Sequence, residues 1–315
     1  MLNSIQSQTY KDFYAIIYDN GSTDNTSDVI KPYLLDKRFS YYRENTNIGG
    51  EITNVIIDKC QTEYLLIVHD DDIMLPEMAK KQIQIFESNE NVSIVSTNIN
   101  YIDNNGYIIK KNLMNDFIRN NDIIIKYKEY IKYYIKNKNI IAFPTVMYRM
   151  TVLRTNKIFI RSDVGSAADT FLWLELNLLS YNFYYISESL YNYRVHDQQD
   201  SNNLFIMIPL LKKPVYYLLC NNEYTNDIIL LWLRFVNKYI IRIYSLGDMS
   251  DYYYNLYKNE YFLKDKPEIT FSIGLFFAIY FKKIKQIKII KIILNILKCL
   301  LPYGLVRLYQ KYIYN

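Results

Sequence analysis

Tyr64-Leu65-Leu66-Ile67-Val68-His69-Asp70-Asp71-Asp72 is the stretch on which the reading of this chain turns. Its first five residues form a short apolar run bounded by charge, the pattern of a buried strand. Three carboxylates then follow without a break. Packed together at the carboxyl end of a strand they repel one another, unless a hard divalent cation and a phosphate share the place. Oxygen ligands plus substrate phosphates are how Mg2+ and Mn2+ are usually held. Pro76, just beyond, is placed to open a helix running to about Asn89, since proline suits the first helical position.

Working outward, the first hundred residues alternate between the two periodicities. Phe13 to Tyr18, Phe39 to Arg43 and Val92 to Thr97 read as strands; Val29 to Leu35 and Glu51 to Lys59 read as helices. Such alternation predicts an α/β fold with a doubly wound, mostly parallel sheet and ligands at the strand carboxyl ends. Further on, Asp103-Asn104-Asn105-Gly106 is a hairpin-type turn. Helices are expected over Ile124 to Ile135 and, amphipathic, over Ala168 to Leu179. Strands are expected over Phe143 to Tyr148, Phe183 to Ile186 and Leu190 to Val195. From Leu204 onward the pattern is helical only, and no internal repeat appears.

A chain of 315 residues has room for one large or two modest domains. Tyrosine (34 residues), Ile, Lys and Asn are over-used together, which an A/T-rich coding sequence explains more simply than a functional tyrosine surface. Net charge is +5, yet eight Lys and Arg and no acidic residue lie after Glu268, leaving the preceding part net acidic. That distribution excludes a general nucleic-acid binder and points to a local anionic partner such as a membrane surface. Cys60, Cys220 and Cys299 are widely spaced, as in reduced cytoplasmic proteins. The opening Met1-Leu2-Asn3-Ser4-Ile5-Gln6 lacks a leader pattern, and the apolar segment Ile273 to Phe281 is too short to span a bilayer.

Four further features carry candidate chemistry. Asp19-Asn20-Gly21-Ser22 closes a strand with a sharp turn. Asp19 there either meets the base or ribose of a nucleotide or makes an Asx turn, for which all four residues are suited. Asn47-Ile48-Gly49-Gly50 has glycines that let backbone amides approach a diphosphate. Asp169 opens a helix, where an acid also favours the helix dipole. His196, like His69, stands at a predicted strand end beside a carboxylate.

In their order and spacing these pieces resemble the family 2 glycosyltransferases, inverting enzymes of GT-A fold. The likeness runs over about residues 4–201. Ser4-Ile5-Gln6-Ser7-Gln8-Thr9-Tyr10 resembles the family's first-helix signature, and the segment from Asp19 to Thr26 its Asp-Gly-Ser-x-Asp-x-Thr turn. Asp70-Asp71-Asp72-Ile73-Met74-Leu75-Pro76 resembles its acidic metal motif. Asp169-Thr170-Phe171-Leu172-Trp173 resembles the segment bearing the catalytic base, and Tyr193-Arg194-Val195-His196, with Ser201, an ending common in bacterial members.

The resemblance implies a nucleotide-diphospho-sugar donor and a glycan or lipid-linked acceptor. Asp19, Ser22, Asn47, Gly49, Asp70 and His196 would bind the donor. Asp71 would ligate Mn2+ or Mg2+, and Asp169 would act as general base. It also implies a division into a nucleotide-sugar half (residues 1–100), an acceptor half (101–203) and a helical C-terminal extension (204–315). Two departures stand out. The family's apolar first strand is missing, which would leave two sheet edges open and favours the alternative of a non-catalytic remnant or partner subunit. Where many members carry an arginine, this chain has Asn54.

In the tail, Lys282, Lys285, Lys288, Lys291, Asn295 and Lys298 recur at spacings of three or four, a polar stripe beside a wide apolar arc. Residues 273–301 are expected either to pack on the enzyme or to lie on the anionic inner face of the plasma membrane.

Overall fold

The computed structural model describes residues 1–113, 121–137, 140–161 and 168–196. The chain forms two compact units, Met1–Tyr224 and Thr225–Asn315. The second unit, and with it the expected tail helix, lies outside the described residues. None of the described helices is long and apolar enough to cross a membrane.

The fold is α/β, and its two longest ladders are parallel. Strand β1 (Ala15–Asp19) pairs in parallel with β2 (Phe39–Arg43), in a register that sets Asp19 opposite Arg43. Helix α2 (Thr26–Ile30) and the 3-10 turn Lys31–Leu35 connect them, dividing what the sequence suggested as one helix; Pro32 marks the change. The second parallel ladder joins β5 (Val92–Ile102) to β9 (Asn182–Arg194) and forms the spine of the larger sheet. Residues 92–100 are buried throughout, as expected of a strand covered on both faces.

Around this spine the shorter ladders are antiparallel. They join β5 to β6 (Ile108–Lys110), β5 and β3 (Tyr64–Leu66) to β8 (Met147–Arg149), and β9 to β4 (Ile73–Met74) and β7 (Ile123–Ile125). The turn between β5 and β6 is the expected one, with Gly106 N–H donating to the Asp103 carbonyl at 3.0 Å.

Several expectations are corrected by packing. The run Tyr64 to Val68 is half-buried, because among the described residues β3 ends the sheet, with β8 as its one strand neighbour. β1 likewise pairs with β2 alone, so among the described residues each of these strands leaves one edge open. The stretch 124–135 is not one helix. Its β-branched isoleucines join β9 as β7, and helix α5 (Tyr130–Asn137) follows. Pro144 turns Phe143–Thr145 into a 3-10 turn ahead of β8, and helix α6 (Met150–Asn156) was not anticipated. The two strands expected near residue 190 are one continuous β9. Helix α7 (Ala168–Leu176) is not amphipathic: Thr170 through Leu174 and Leu176 are buried, and Trp173 Nε1–H donates to the Tyr148 hydroxyl at 3.1 Å inside the core.

Helix α3 (Glu51–Lys59) and helix α4 (Met78–Ser88) fall close to where the sequence places them. Helix α1 (Leu2–Gln6) opens the described chain. Ser4 Oγ accepts the Met74 amide at 3.1 Å. Gln8, buried, donates to the Leu75 carbonyl at 2.8 Å and accepts the Ala79 amide at 3.2 Å. These bonds pin the amino-terminal segment against the chain that leaves the acidic loop.

Candidate functional site

The short β4 ladder builds the site. Pairing Ile73 with Asn192 and Met74 with Tyr191 lays the acidic loop against the end of β9. Asp72 then turns inward, only 1% exposed, and its Oδ1 accepts the Arg194 backbone amide at 2.7 Å. Arg194 reaches over the loop, its Nε–H donating to the Asp71 carbonyl at 2.7 Å and its Nη1 to the Asp103 carbonyl. His196 Nε2 comes within 3.2 Å of Asp71 Oδ2. On the other side, His69 Nδ1 stands 3.9 Å from Asp72 Oδ2.

His69, Asp71 and Asp72 thus each offer a donor atom within 4.8 Å of the others. Asp70 is exposed and stands outside this convergent set. Asp72 Oδ2 is buried and has no hydrogen-bond partner. Burial pushes the Asp72 carboxyl up to about 6, and the neighbouring Asp71 charge adds to this against the pull of the Arg194 amide. The Tyr191 hydroxyl lies near enough to be raised by burial and then by the Asp72 charge, yet it too has no hydrogen bond of ordinary geometry. A buried carboxylate oxygen left without a donor costs a few kcal/mol on the order of 1–3. A divalent cation removes that cost, so these residues fit Mn2+ or Mg2+.

The turn after β1 forms a second cluster. Asp19 is 5% exposed; its Oδ1 accepts the Ser22 amide at 2.7 Å and its Oδ2 accepts the Tyr41 hydroxyl, with Arg43 Nε at 3.6 Å. Burial pushes this carboxyl up, but the Ser22 and Tyr41 bonds and the Arg43 charge outweigh it and hold the group below its usual value. Asn20 ties the turn to the next loop. Its Nδ2 donates to Asn47 Oδ1 at 3.0 Å and to the Gly49 carbonyl at 3.1 Å, and its Oδ1 accepts the Ile48 amide at 2.9 Å. Asn47 Oδ1 also accepts the Gly49 amide at 2.8 Å. The amides of Ile48 and Gly49 are therefore already engaged within the loop, where the sequence had suggested them for a diphosphate. Gly21 is required here: at φ +77° a Cβ would stand 2.7 Å from the Thr46 carbonyl carbon.

Asp169 lies in the first turn of α7, partly exposed, with its Oδ1 accepting the Thr170 amide. Burial raises its carboxyl to about 6, against the lowering effect of the Thr170 bonds. Its charge adds to the larger effect of burial in raising the buried Tyr130 and Tyr148 hydroxyls. Asn54 bonds the backbone of Ile160 in both directions at 2.8 Å, so this side chain ties α3 to the segment after α6.

Sequence reasoning named the whole run His69 to Asp72 and the ending Tyr193 to His196, but gave a role of their own only to Asp70, Asp71 and His196; the parts that Asp72, Arg194 and His69 play beside them, and Tyr41 and Asn20 beside Asp19, come from the structure. The signal for His69 was its position next to the carboxylates. Arg194 was marked only as part of its motif and Tyr41 not at all, because their roles come from strand pairing.

With this geometry in view, comparison with known proteins identifies the class. Residues 1–156 match the model of Glycosyl transferase family 2. An uncharacterized glycosyltransferase of Methanocaldococcus jannaschii is 29% identical over 236 residues, covering 71% of this chain and 77% of that protein. The O-antigen biosynthesis glycosyltransferase WbnJ of Escherichia coli is 28% identical over 203 residues, covering 62% and 74%. Among solved structures, the mannosyltransferase PcManGT of Pyrobaculum calidifontis, in complex with GDP-Man and Mn2+, aligns with a TM-score of 0.54 at 13% identity, covering 91% of this chain and 83% of that one. The chain belongs to the family 2 glycosyltransferases and has their GT-A fold.

Proposed function

We propose that this enzyme transfers a sugar, with inversion, from a nucleotide-diphospho-sugar to a hydroxyl of a glycan or lipid-linked acceptor. The observation that carries the reading is the buried, unpartnered Oδ2 of Asp72 beside Asp71 and His196. Asp71 is the metal ligand. The chemistry that Mn2+ or Mg2+ supplies when bound there is neutralisation of charge on the departing nucleoside diphosphate. His196 contacts the diphosphate end of the donor, and Arg194 holds the loop in place through its bonds to Asp71 and Asp103. Asp70, exposed in the same loop, meets the ribose. Asp19, Ser22, Asn47 and Gly49 form the nucleoside side of the site, with Asp19 fixing the turn that faces the base.

Asp169 takes the proton of the acceptor hydroxyl as its oxygen attacks the anomeric carbon. The bond to the diphosphate breaks as the new glycosidic bond forms. A carboxyl raised to about 6 is a stronger base than an ordinary one and still ionised at neutral pH. The E. coli relative acts in O-antigen biosynthesis, which supports a role in bacterial surface polysaccharide assembly. Incubating the purified chain with a panel of UDP- and GDP-sugars and Mn2+, and reading the anomeric configuration of the product by NMR, tests the reading. Retention of configuration, or no transfer and no donor binding across the panel, would overturn it.

A cytoplasmic enzyme with a lipid-linked acceptor would work at the inner membrane face. The basic tail, residues 273–301, is assigned to that contact. Each lysine near an anionic surface contributes about 1 kcal/mol. Flotation with anionic vesicles, falling as salt rises, is the expected result; equal recovery with neutral vesicles would rule the contact out.

A further inference from the structure

We propose that His69 is an imidazole ligand of the metal site, and that its nitrogen makes the site select Mn2+ over Mg2+. The inference deepens the function proposed above, in which Asp71 alone was assigned to the metal.

Three observations support it. First, the loop aims His69, and not Asp70, at the inward carboxylates: Nδ1 of His69 is 3.9 Å from Asp72 Oδ2, and the donors of His69, Asp71 and Asp72 lie within 4.8 Å of one another. With metal–ligand bonds of about 2.1 Å, donors on one octahedral ion stand about 3 Å apart when adjacent and about 4 Å apart when opposite. The His69–Asp72 spacing lies between these, so an ion needs little movement to take both. Second, Asp72 Oδ2 is buried and lacks a well-formed hydrogen bond, with the Tyr191 hydroxyl near it and His69 Nδ1 3.9 Å away. Third, the His69 ring is held from outside the loop. It stacks on Phe143, with centroids 5.7 Å apart and planes 26° off parallel, and Phe143 sits in the 3-10 turn fixed by Pro144. A ring positioned from its face keeps its edge nitrogens directed at the carboxylates.

The donor set that results is one imidazole nitrogen and carboxylate oxygens. Mg2+ holds to oxygen ligands and gives up water reluctantly, whereas first-row transition ions accept imidazole. A nitrogen in the set therefore penalises Mg2+ more than Mn2+.

The test uses the full, metal-free chain and reads binding, not turnover. Mn2+ and Mg2+ are titrated by calorimetry, alone and with UDP or GDP present, and nitrogen coupling to bound Mn2+ is read by electron spin-echo spectroscopy. The expected result is a preference for Mn2+ of about tenfold or more, with a nitrogen signal in the unaltered chain. His69→Asn is expected to bring the two affinities together and to lose that signal. His69→Gln repeats the loss should one variant fail to fold. Equal affinity for the two ions, no nitrogen coupling, or coupling unchanged in His69→Asn would each overturn the proposal. A chain that binds Mn2+ through His69 but takes no sugar nucleotide would uphold it and sink the function proposed above.

Discussion

Asp19, at the end of β1, and Asp72, in the acidic loop, are two buried carboxylates with opposite surroundings. Asp19 receives the Ser22 amide and the Tyr41 hydroxyl and faces Arg43, so it is held below its usual value. Asp72 receives one amide, has one oxygen without a partner, and is pushed up to about 6. Burial alone acts the same way on both; hydrogen bonds decide the sign. The β1 turn is thus a finished frame, complete without ligand. The acidic loop is unfinished, with one buried carboxylate oxygen lacking a partner, and the function proposed above gives that place to a cation. Asp169 is raised like Asp72, and the function proposed above uses it as the base.

The largest expected effect tests that last placement. Asp169→Asn should lower turnover by about 10²–10⁴-fold while leaving donor binding nearly intact, because the lost interaction belongs to the transition state. Titration of donor with Mn2+ present checks the binding half. Equal losses in affinity and turnover would mark Asp169 as a helix-start residue and break the comparison. Its pH signature has a fixed sign. The base must be ionised, so turnover should rise with pH through about 6 and level off above, with that limb gone in Asp169→Asn. Stability runs the other way. The folded carboxyl binds its proton more tightly than the unfolded one, so the contribution is present below the unfolded value near 4 and is lost as pH rises through about 6.

The next effect is a difference of sign. Asp19→Asn should destabilise the chain at pH 8 by about 1–3 kcal/mol, with or without metal, since it weakens bonds made to a charge. Asp72→Asn should raise the melting temperature of the metal-free chain, by up to about 3 kcal/mol of stability for a shift of roughly two pKa units, and should abolish the further rise that Mn2+ gives the unaltered chain. Thermal unfolding with and without Mn2+ reads both. If the two variants move the same way in metal-free buffer, the contrast drawn between the loops is wrong. Asp71→Asn sharpens it: stability should change little, while Mn2+-dependent nucleoside-diphosphate affinity falls sharply by calorimetry.

These contrasts show how far the sequence carries. The acidic run after an apolar strand and the Asx-type turn at Asp19 were both legible, because each is local chemistry with a fixed spacing. So was the meeting of Asp71 with His196, through the order of the motifs. Which of three consecutive aspartates turns inward was not legible. That is set by two residues of β4 pairing with β9, a ladder too short to show as periodicity. The same holds for α7: its residues suggested one apolar face, but the helix is enclosed on nearly all sides, which no helical period can report. The half-burial of β3 followed from its place at the end of the sheet, again a matter of neighbours and not of its own residues.

The smallest expected effect lies within the finished frame and separates close packing from backbone strain. Gly21 and Gly49 both hold positive φ, +77° and +60°, which costs an L residue about 1 kcal/mol. They differ in space. A Cβ on Gly21 meets the backbone of Thr46 at 2.7 Å and Asn47 at 2.8 Å, whereas one on Gly49 meets nothing within 4 Å. Gly49→Ala should therefore cost about 1 kcal/mol of stability. Gly21→Ala must push the β1 turn off the Asn47 loop, straining the Asn20–Asn47 and Asn20–Ile48 bonds that join them. It should cost more than Gly49→Ala in stability and weaken nucleotide binding as well. Chemical denaturation of the two variants side by side, with UDP and GDP titrations, decides it. Equal costs would mean that the two loops are not held as one unit, and that the nucleoside side of the site is completed by its ligand just as the acidic loop is.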